Sequence, residues 1–319
     1  MNPRHPVLVT MEKFLDQLPE TDGAGLLIGL SGGIDSTALT AAIKEAMQNP
    51  QLQRRVECFH LHHGFRGAEA DRDARHSLSL CRRWSIPLHL VHENLDFQWG
   101  EGKPSMETVA RDRRRFHLEK IAHARQCRFI LLAHHMEDQA ETLLGNLLRG
   151  CGLRGLGGIH PESPLGSSGM TLMRPLLGFR KEMLLDYIQS RSIEAVEDSS
   201  NASDQHRRNR LRRRWIPLLE EESPELTLHL HHLAIEMQQR WQQNEEKLRP
   251  LRDRLFSLGP FTSFPPGITE GLQDHEITDL FRETLRGDGS GHQLNRGHLE
   301  ALRQLTRNDR SPEIGRAHV

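Results

Sequence analysis

The first 150 residues alternate short apolar runs with longer segments of helical periodicity. Four runs of five or six residues are almost wholly apolar, namely Leu26–Leu30, Val56–Leu61, Pro87–Val91 and Phe129–Ala133. Helical patterns follow these runs in turn, over Asp35–Met47, Ala68–Trp84, Ser105–Ala124 and Glu137–Leu148. Continuously apolar strands that alternate with helices are typical of a parallel sheet covered on both faces. We therefore predict an α/β fold built on a doubly wound parallel sheet.

The rest of the chain differs in composition and in predicted secondary structure. Residues 150–169 are rich in Gly, Pro and Ser and predict a long functional loop. Further helices are predicted over Arg180–Ser190 and over a long amphipathic segment, Glu225–Leu248. We place a catalytic domain at 1–217 and a helical linker with a smaller, mainly helical domain at 218–319. The last residues, 313–319, resemble the translation of a sequencing adapter, so we expect the natural protein to continue and this domain to be truncated.

Composition narrows the class of protein. The 319 residues are 36% hydrophobic and 27% charged, with a formal net charge of −1. No run of eighteen apolar residues and no signal-peptide core occur, so we expect a cytoplasmic protein. The four cysteines form no C-x-x-C pair, which disfavours disulfide frameworks, zinc ribbons and cysteine-held clusters. Three of them, Cys58, Cys81 and Cys127, have apolar neighbours and are predicted to be core residues.

A polar string joins the first apolar run to the first helical pattern. Its members are Ser31, Gly32, Gly33, Ile34, Asp35 and Ser36. Two glycines let backbone N–H groups converge, the serines add hydroxyl donors, and the following helix N-terminus favours an anion. Asp35 would repel phosphates unless a cation intervened, which predicts Mg²⁺ carried by a nucleotide. Helix capping explains one or two of these residues but not the whole string, so we predict a phosphate-binding loop.

Histidine pairs also follow apolar runs. They are His62 with His63 after the second run, and His134 with His135 after the fourth. Ligands of parallel α/β sheets bind at the carboxyl ends of the strands, where these histidines are predicted to lie. Their spacing matches none of the usual metal-binding frames, so we expect them to line a nucleotide pocket.

Arginines are concentrated in two places. The first cluster comprises Arg111 and residues 113–115, and the second comprises six arginines between Arg207 and Arg214. The second contains no acid between Gln205 and Trp215, which favours a polyanion such as a nucleic acid as its partner. The first is explained equally well by a solvated helix face.

Several strings together support a resemblance to a known family. The string Ser31–Ser36 resembles the S-G-G-x-D-S signature of the PP-loop ATP pyrophosphatases. Further matching strings are H-H-G-F-R from His62, E-T-V-A-R from Glu107, H-H-M-E-D-Q-A-E-T from His134, R-G-C-G-L-R-G-L from Arg149, R-P-L-L from Arg174, E-D-S-S-N from Glu197 and R-N-R-L-R from Arg208. In combination, residues 25–218 are similar to the tRNA(Ile)-lysidine synthetase family. Two departures are Glu137, where that family usually has aspartate, and Ser199, where it commonly has proline.

The resemblance implies a fold and a reaction. The fold is that of the PP-loop, adenine nucleotide alpha hydrolase-like enzymes, and the activity is that of a ligase forming a carbon–nitrogen bond. In the implied reaction, O2 of the wobble cytidine in the CAU anticodon of an isoleucine tRNA attacks the α-phosphate of ATP, releasing pyrophosphate. The ε-amine of free L-lysine then attacks C2 and expels AMP. ATP and Mg²⁺ are the implied cofactors, and the family suggests a homodimer.

The resemblance also implies roles for individual residues. The predicted nucleotide-binding residues are Ser31, Gly32, Gly33, Ile34, Asp35, Ser36 and His62, with Asp35 holding the magnesium of ATP. The predicted catalytic residues are Asp35, Arg111 and Asp138. The predicted substrate-binding residues are Glu107, Arg111, Asp138, Glu141, Asn201, Arg208 and Arg212. Asp138 and Glu141 lie three apart on a predicted helix and can hold lysine together, whereas Arg111, oriented by Glu107, counters phosphate charge.

Three other functions stay open. A PP-loop tRNA thiolase of the 2-thiocytidine type would use paired cysteines, and none are paired in this sequence. A small-molecule synthetase with the same loop would not need the arginine-rich string after Asn201. A non-catalytic RNA-binding protein would not need the complete Ser31–Ser36 string.

Overall fold

The computed structural model describes most of the chain. The described residues are 4–19, 23–64, 67–93, 106–166, 169–196, 207–258, 261–265 and 267–286, with residues 297, 300 and 301. Contacts divide the chain into two units. The first comprises Met1–Arg149 and Gly158–Ala234, and the second comprises Gly150–Gly157 and Ile235–Val319. Residues 218–234 thus belong with the first unit, although the sequence places a domain boundary at 217.

A six-stranded sheet forms the centre of the first unit. Its strands are β1 Gly25–Gly29, β2 Val56–His62, β3 Leu88–His92, β4 Cys127–Leu131, β5 Glu162–Leu165 and β6 Met170–Met173. Their order is β3-β2-β1-β4-β6-β5, with every neighbouring pair parallel except β5 and β6. The predicted α/β fold with a parallel sheet is therefore confirmed.

The β5–β6 hairpin corrects the loop predicted for residues 150–169. Both strands have only four residues, and β5 contains Pro164. Proline lacks an N–H to donate, so it is tolerated at a sheet edge, and β5 is the edge strand. Short strands with turn residues and a proline carry no clear strand pattern, which explains why the sequence favours a loop.

Helices cover both faces of this sheet, with α1, α2, α3 and α7 packed on one face and α4 on the other. Across the described parts of both units, the helices are α1 Pro6–Gln17, α2 Ile34–Ala46, α3 Ala68–Trp84, α4 Met106–Ala124, α5 Met136–Leu147, α6 Leu153–Leu156, α7 Lys181–Gln189, α8 Arg207–Arg210, α9 Ile216–Glu222, α10 Leu226–Arg252 and α11 Asp274–Arg286. A π-helical turn, Leu211–Trp215, joins α8 to α9. The six predicted helices are found with ends that mostly lie within two residues of the expectation. Helix α1 was not predicted, although its buried residues Val7, Met11 and Leu15 recur at helical spacing.

Strand β1 shows why a strand that is covered on both faces is rich in apolar residues. Leu26 and Ile28 pack into the core beneath α1, α2 and α7, whereas Leu27 packs on the opposite face with Leu118 of α4. Since successive side chains of a strand point to opposite faces, burial of both faces requires apolar residues at every position. The free thiols of Cys58, Cys81 and Cys127 are buried in these cores, as predicted.

The second unit is mainly helical, as predicted. It contains α6, the second half of α10, α11 and a two-stranded ribbon of β7 Phe256–Leu258 and β8 Phe261–Ser263. Ile277 and Phe281 of α11 pack against Phe264 and Leu272 in a small apolar cluster. None of the helices in the described ranges is both long and apolar enough to cross a membrane.

Candidate active site

The loop between β1 and α2 has the backbone of an anion-binding turn. Gly32 has φ of +91°, a conformation that residues with a Cβ rarely adopt. A Cβ on Gly32 would also lie 3.3 Å from both the carbonyl oxygen of Asp73 and Oγ of Ser77 on α3. Both the conformation and the close approach of α3 therefore require glycine at this position.

Hydroxyl groups inside the loop fix its shape. Ser36 Oγ accepts a hydrogen bond from Ser31 N (3.1 Å), lies 3.0 Å from Ser31 Oγ and is 3.2 Å from the carbonyl oxygen of Gly33. From outside the loop, Val196 N donates to the carbonyl oxygen of Gly32 at 3.0 Å. In the described part of the chain, no side chain caps the N-terminus of α2, which starts at Ile34. Its first N–H groups are thus placed for an oxyanion.

Asp35 has one carboxylate oxygen that lacks a partner. Its Oδ2 lies 3.6 Å from His135 Nε2, and its Oδ1 is buried without a hydrogen bond among the described residues. A buried carboxylate oxygen without a partner costs free energy, so a ligand is expected to satisfy it. Hard cations such as Mg²⁺ prefer oxygen ligands of this kind, so Asp35 fits the predicted magnesium of ATP.

His135 carries a positive charge beside this loop. Its Nδ1 donates to Glu137 Oε2 at 2.8 Å, and its Nε2 lies near both Asp35 and Asp138. Burial lowers the pKa of His135, but the pairing with Asp35 and Glu137 and the charge of Asp138 outweigh burial and raise the pKa to about 10. Imidazolium is therefore the form of His135 at neutral pH.

Glu137 has a packing role that accounts for its longer side chain. Its two carboxylate oxygens accept from the backbone N of Lys181 at 3.1 and 3.2 Å, at the start of α7, while one also accepts from His135. Burial raises the pKa of Glu137, but the hydrogen bond and charge of His135 outweigh it, so the pKa is lowered. This glutamate thus ties α5 to α7.

Stability should fall at high pH because of His135. Its pKa is about 10 in the folded protein and about 6.5 in an unfolded chain, so its stabilising contribution is complete below pH 6.5. That contribution disappears as pH rises from 6.5 towards 10. We expect the urea midpoint of the wild type to fall across this window more steeply than that of His135→Gln.

The neighbouring histidine provides the control for this measurement. Burial lowers the pKa of His134 to about 4, so its charge does not change between pH 6.5 and 10. The variant His134→Gln should therefore keep the pH dependence of the wild type. Parallel curves for the wild type and His135→Gln would contradict the assigned charge.

Two carboxylates and two guanidinium groups form a network next to His135. Asp138 Oδ1 accepts from Arg208 Nη2 (2.5 Å) and lies 3.4 Å from Arg212 Nη2. Glu141 accepts from Arg208 Nε (2.7 Å) and from Arg212 Nε and Nη2 (2.5 and 3.1 Å). The Glu141 side chain is 1% exposed, whereas the two arginines are 40% and 35% exposed. Burial raises the pKa of Asp138, but the charges of His135 and Arg208 outweigh it and lower the pKa.

This network corrects part of the reasoning about the second arginine cluster. No acid lies within that stretch of sequence, yet Asp138 and Glu141, about 70 residues earlier, neutralise Arg208 and Arg212. The predicted contacts of the carboxylates with lysine and of the arginines with tRNA stay predictions. The structure brings all four residues together at one end of α5.

The other predicted residues lie in several environments. His62 ends β2, and its Nε2 is 3.0 Å from Asp71 Oδ1. Arg111 is exposed on α4. The side chain of Glu107 and the whole of Asn201 lie outside the described residues. In the first arginine cluster, Arg113 pairs with Glu93.

Two residues that support the loop were missed by sequence reasoning. His60 Nδ1 lies 2.8 Å from the carbonyl oxygen of Leu30 and 3.2 Å from Ser77 Oγ. Burial lowers the pKa of His60 to about 4, so it is a neutral hydrogen-bonding group beneath the loop. Its place within an apolar strand was a signal, because a buried histidine needs a polar partner.

Comparisons with known proteins agree with this geometry. The PP-loop domain family matches residues 6–219. A tRNA(Ile)-lysidine synthase of Actinobacillus succinogenes is 35% identical over 254 residues, which cover 77% of this chain and 57% of that protein. The corresponding protein of Polaromonas naphthalenivorans is 36% identical over 221 residues, covering 69% of this chain and 64% of that protein. The chain thus spans less than two thirds of the length of these curated relatives.

One solved structure shares the fold. The U34-tRNA thiolase NcsA from Methanococcus maripaludis, with its 4Fe-4S cluster, aligns with a TM-score of 0.60 at 18% identity. The alignment covers 72% of this chain and 78% of that chain, and at this identity it shows a common fold alone. From the match over residues 6–219 and the sequence relatives, the chain belongs to the PP-loop domain family and resembles the tRNA(Ile)-lysidine synthases within it.

Proposed function

We propose that this protein ligates L-lysine to C2 of the wobble cytidine in the CAU anticodon of an isoleucine tRNA, converting ATP to AMP and pyrophosphate. The observation that carries the proposal is the unpartnered, buried Asp35 Oδ1 beside the uncapped N-terminus of α2. The activity for which the sequence relatives are named supports the choice of substrate. The cytoplasm is the expected location, and a homodimer stays part of the proposal.

The first step transfers an adenylyl group. Cytidine O2 attacks the α-phosphate of ATP, and the bond from that phosphorus to the leaving pyrophosphate breaks. The N–H groups at the start of α2, which no described side chain caps, and the hydroxyls of Ser31 and Ser36 would stabilise the departing diphosphate. Asp35 would hold Mg²⁺, which supplies further neutralisation of phosphate charge when bound. The imidazolium of His135 adds a fixed positive charge nearby.

The second step requires lysine near the activated base. The lysine ammonium first gives a proton to solvent, and the free ε-amine then attacks C2. The new C–N bond replaces the C2–O2 bond, AMP leaves with the former carbonyl oxygen, and the second proton of the attacking amine also passes to solvent. Free amines of this type have a pKa of about 10.4, so lysine arrives as an ammonium ion and needs carboxylate partners. Asp138 and Glu141 offer these partners, and the guanidinium groups of Arg208 and Arg212 occupy the positions that a cation favours. We propose that the lysine ammonium exchanges with one of these guanidinium contacts.

The other arginines of the second cluster are further candidates for contacts with RNA. Arg210, Arg213 and Arg214 are exposed around the π-helical turn, whereas Arg208 and Arg212 face the carboxylates. Exposed arginines on one segment suit contacts with RNA phosphates. The predicted contacts of Asn201 and Glu107 belong to the same proposal.

The proposal is tested by following labelled lysine and sulfur into RNA. Purified protein is incubated with ATP, Mg²⁺ and transcripts of an isoleucine tRNA and a methionine tRNA, both with a CAU anticodon. We expect lysine incorporation into the isoleucine transcript alone, with one pyrophosphate released per lysine. Incorporation of sulfur would favour a thiolase, and pyrophosphate release that needs no RNA would favour a small-molecule synthetase.

A further inference from the structure

The register of α4 against the β5–β6 hairpin is fixed by one close contact. Gly166 in the hairpin turn lies so near Glu119 of α4 that a Cβ there would be 2.0 Å from Glu119 Oε1. Helix α4 joins two parallel strands, β3 and β4, and therefore runs antiparallel to them and to β6. Moving towards the start of α4 thus means moving towards the carboxyl end of β6.

This register places three arginines at the same height along the strands, near the carboxyl edge of the sheet. Arg115 and Arg111 lie on the same face of α4 as Glu119, about 6 and 12 Å nearer the start of the helix. Arg174 directly follows β6. The four residues of β6 span about 13 Å, so Arg174 lies about as far from the hairpin turn as Arg111 lies from Glu119. Arg111, Arg115 and Arg174 therefore converge at the carboxyl edge of the sheet.

Within the described part of the chain, the three guanidinium groups have no acidic partner that balances their charge. Arg174 Nη1 donates to the carbonyl oxygen of His160 (2.7 Å) and to Ser163 Oγ (3.2 Å), but its Nε is buried and forms no hydrogen bond with a described residue. Among the described residues, none of the three arginines forms an ion pair with a carboxylate. Like charges at one edge of a sheet repel one another, and an anion that binds between them relieves this repulsion.

The electrostatics agree with the geometry. Burial, and then the positive charges of Arg111 and Arg115, lower the pKa of Arg174 from its usual range to about 10. The charge of Arg174 also lowers the pKa of His134, at the end of the neighbouring strand β4. Arg174 therefore lies close to the candidate active site.

We propose that Arg111, Arg115 and Arg174 bind one phosphate of the RNA backbone beside the nucleotide that is modified. The proposal rests on the proposed RNA substrate. Arg111 and Arg115 are exposed and Arg174 is half-buried behind them, so the site is an open surface that a macromolecule can reach. A free amino acid would need a more enclosed pocket. The ATP phosphates are assigned to the loop after β1, two strand positions or about 10 Å away.

Salt-dependent RNA binding tests this site. The probe is an RNA stem-loop with a CAU anticodon, and its dissociation constant is measured over a range of KCl concentrations. For Arg174→Gln we expect about tenfold weaker binding and a plot of log K against log salt that is shallower by about 0.7 to 0.9, the value for one lost phosphate contact. Arg174→Lys should keep most of the affinity. The double variant Arg111→Gln with Arg174→Gln should lose less binding free energy than the sum of the two single losses, because both arginines bind the same phosphate.

Controls separate this site from general charge effects and from misfolding. Arg83→Gln removes an exposed charge from α3 and should leave affinity and slope unchanged. If Arg174→Gln fails to fold, Arg111→Gln and Arg115→Gln on the surface of α4 provide the same test.

The outcomes distinguish this proposal from the proposed function. An unchanged salt slope with a raised KM for lysine would assign the arginines to the lysine carboxylate and overturn the phosphate site. An unchanged slope and KM would overturn it as well. Lysine incorporation by the wild type would still support the proposed function in both cases. A reduced slope without any lysine incorporation would support the phosphate site and reject the ligase.

Discussion

Replacing Asp35 with asparagine is expected to slow ATP-dependent lysine transfer by about 100-fold or more, while the protein stays folded. Asparagine has the shape of aspartate but lacks the charge that would hold a cation at the buried, unpartnered Oδ1. The change also removes one of the carboxylates that keep His135 protonated. Pyrophosphate release should fall as strongly as lysine transfer, because Asp35 is assigned to the first step.

The measurement follows both products at saturating ATP and Mg²⁺. Asp112→Asn is the matched control, since Asp112 is exposed on α4 and should keep the wild-type rate. Circular dichroism and the urea midpoint check that Asp35→Asn is folded. A folded Asp35→Asn protein with a rate within about threefold of the wild type would remove Asp35 from the mechanism.

Replacing Glu141 with glutamine is expected to reduce stability by about 2 kcal/mol and to raise the KM for lysine. Breaking a fully buried ion pair costs about 3 to 5 kcal/mol. Because Arg208 and Arg212 are 40% and 35% exposed, water can solvate them when Glu141 loses its charge, so the cost is smaller. Urea unfolding gives the stability change, and lysine titration in the transfer assay gives the KM.

A second substitution separates the two roles of Glu141. The double variant Glu141→Gln with Arg212→Gln removes one negative and one positive charge. The charges of the network are then balanced again, since Asp138 can still pair with Arg208. It should recover much of the lost stability but keep the raised KM if Glu141 binds lysine. A KM that returns to the wild-type value would leave Glu141 with a purely structural role. Glu182→Gln, an exposed change on α7, should affect neither quantity.

The central sheet could be predicted because short stretches of consecutive residues specify its main strands. Strand β1 is a continuous apolar run, and β2 and β4 are mostly buried with apolar residues at most positions, so the sequence displays these strands directly. Strand β5 is a four-residue edge strand with an alternating burial pattern and a proline. Although β5 and β6 form a local hairpin, four residues are too few to show a strand pattern, so the sequence does not reveal their pairing.

The same distinction applies to the site. The loop from Ser31 to Ser36 could be predicted because its hydroxyl contacts and its Gly32 conformation arise within six consecutive residues. The pairing of Glu141 with Arg212 joins residues 71 apart. Charge patterns along a sequence do not report such long-range neutralisation, which is why the second arginine cluster looked unpaired.

The proline at the sheet edge has a consequence for self-association. An exposed edge strand is a template on which a second sheet can add, and a missing N–H interrupts the ladder that such addition needs. Pro164 has no N–H, so β5 is a poor site for joining two copies of the chain into one continuous sheet, and it also resists the edge-to-edge aggregation seen in unprotected sheets. Side-chain packing away from β5 would therefore stabilise a symmetric dimer better than pairing of its β5 strands.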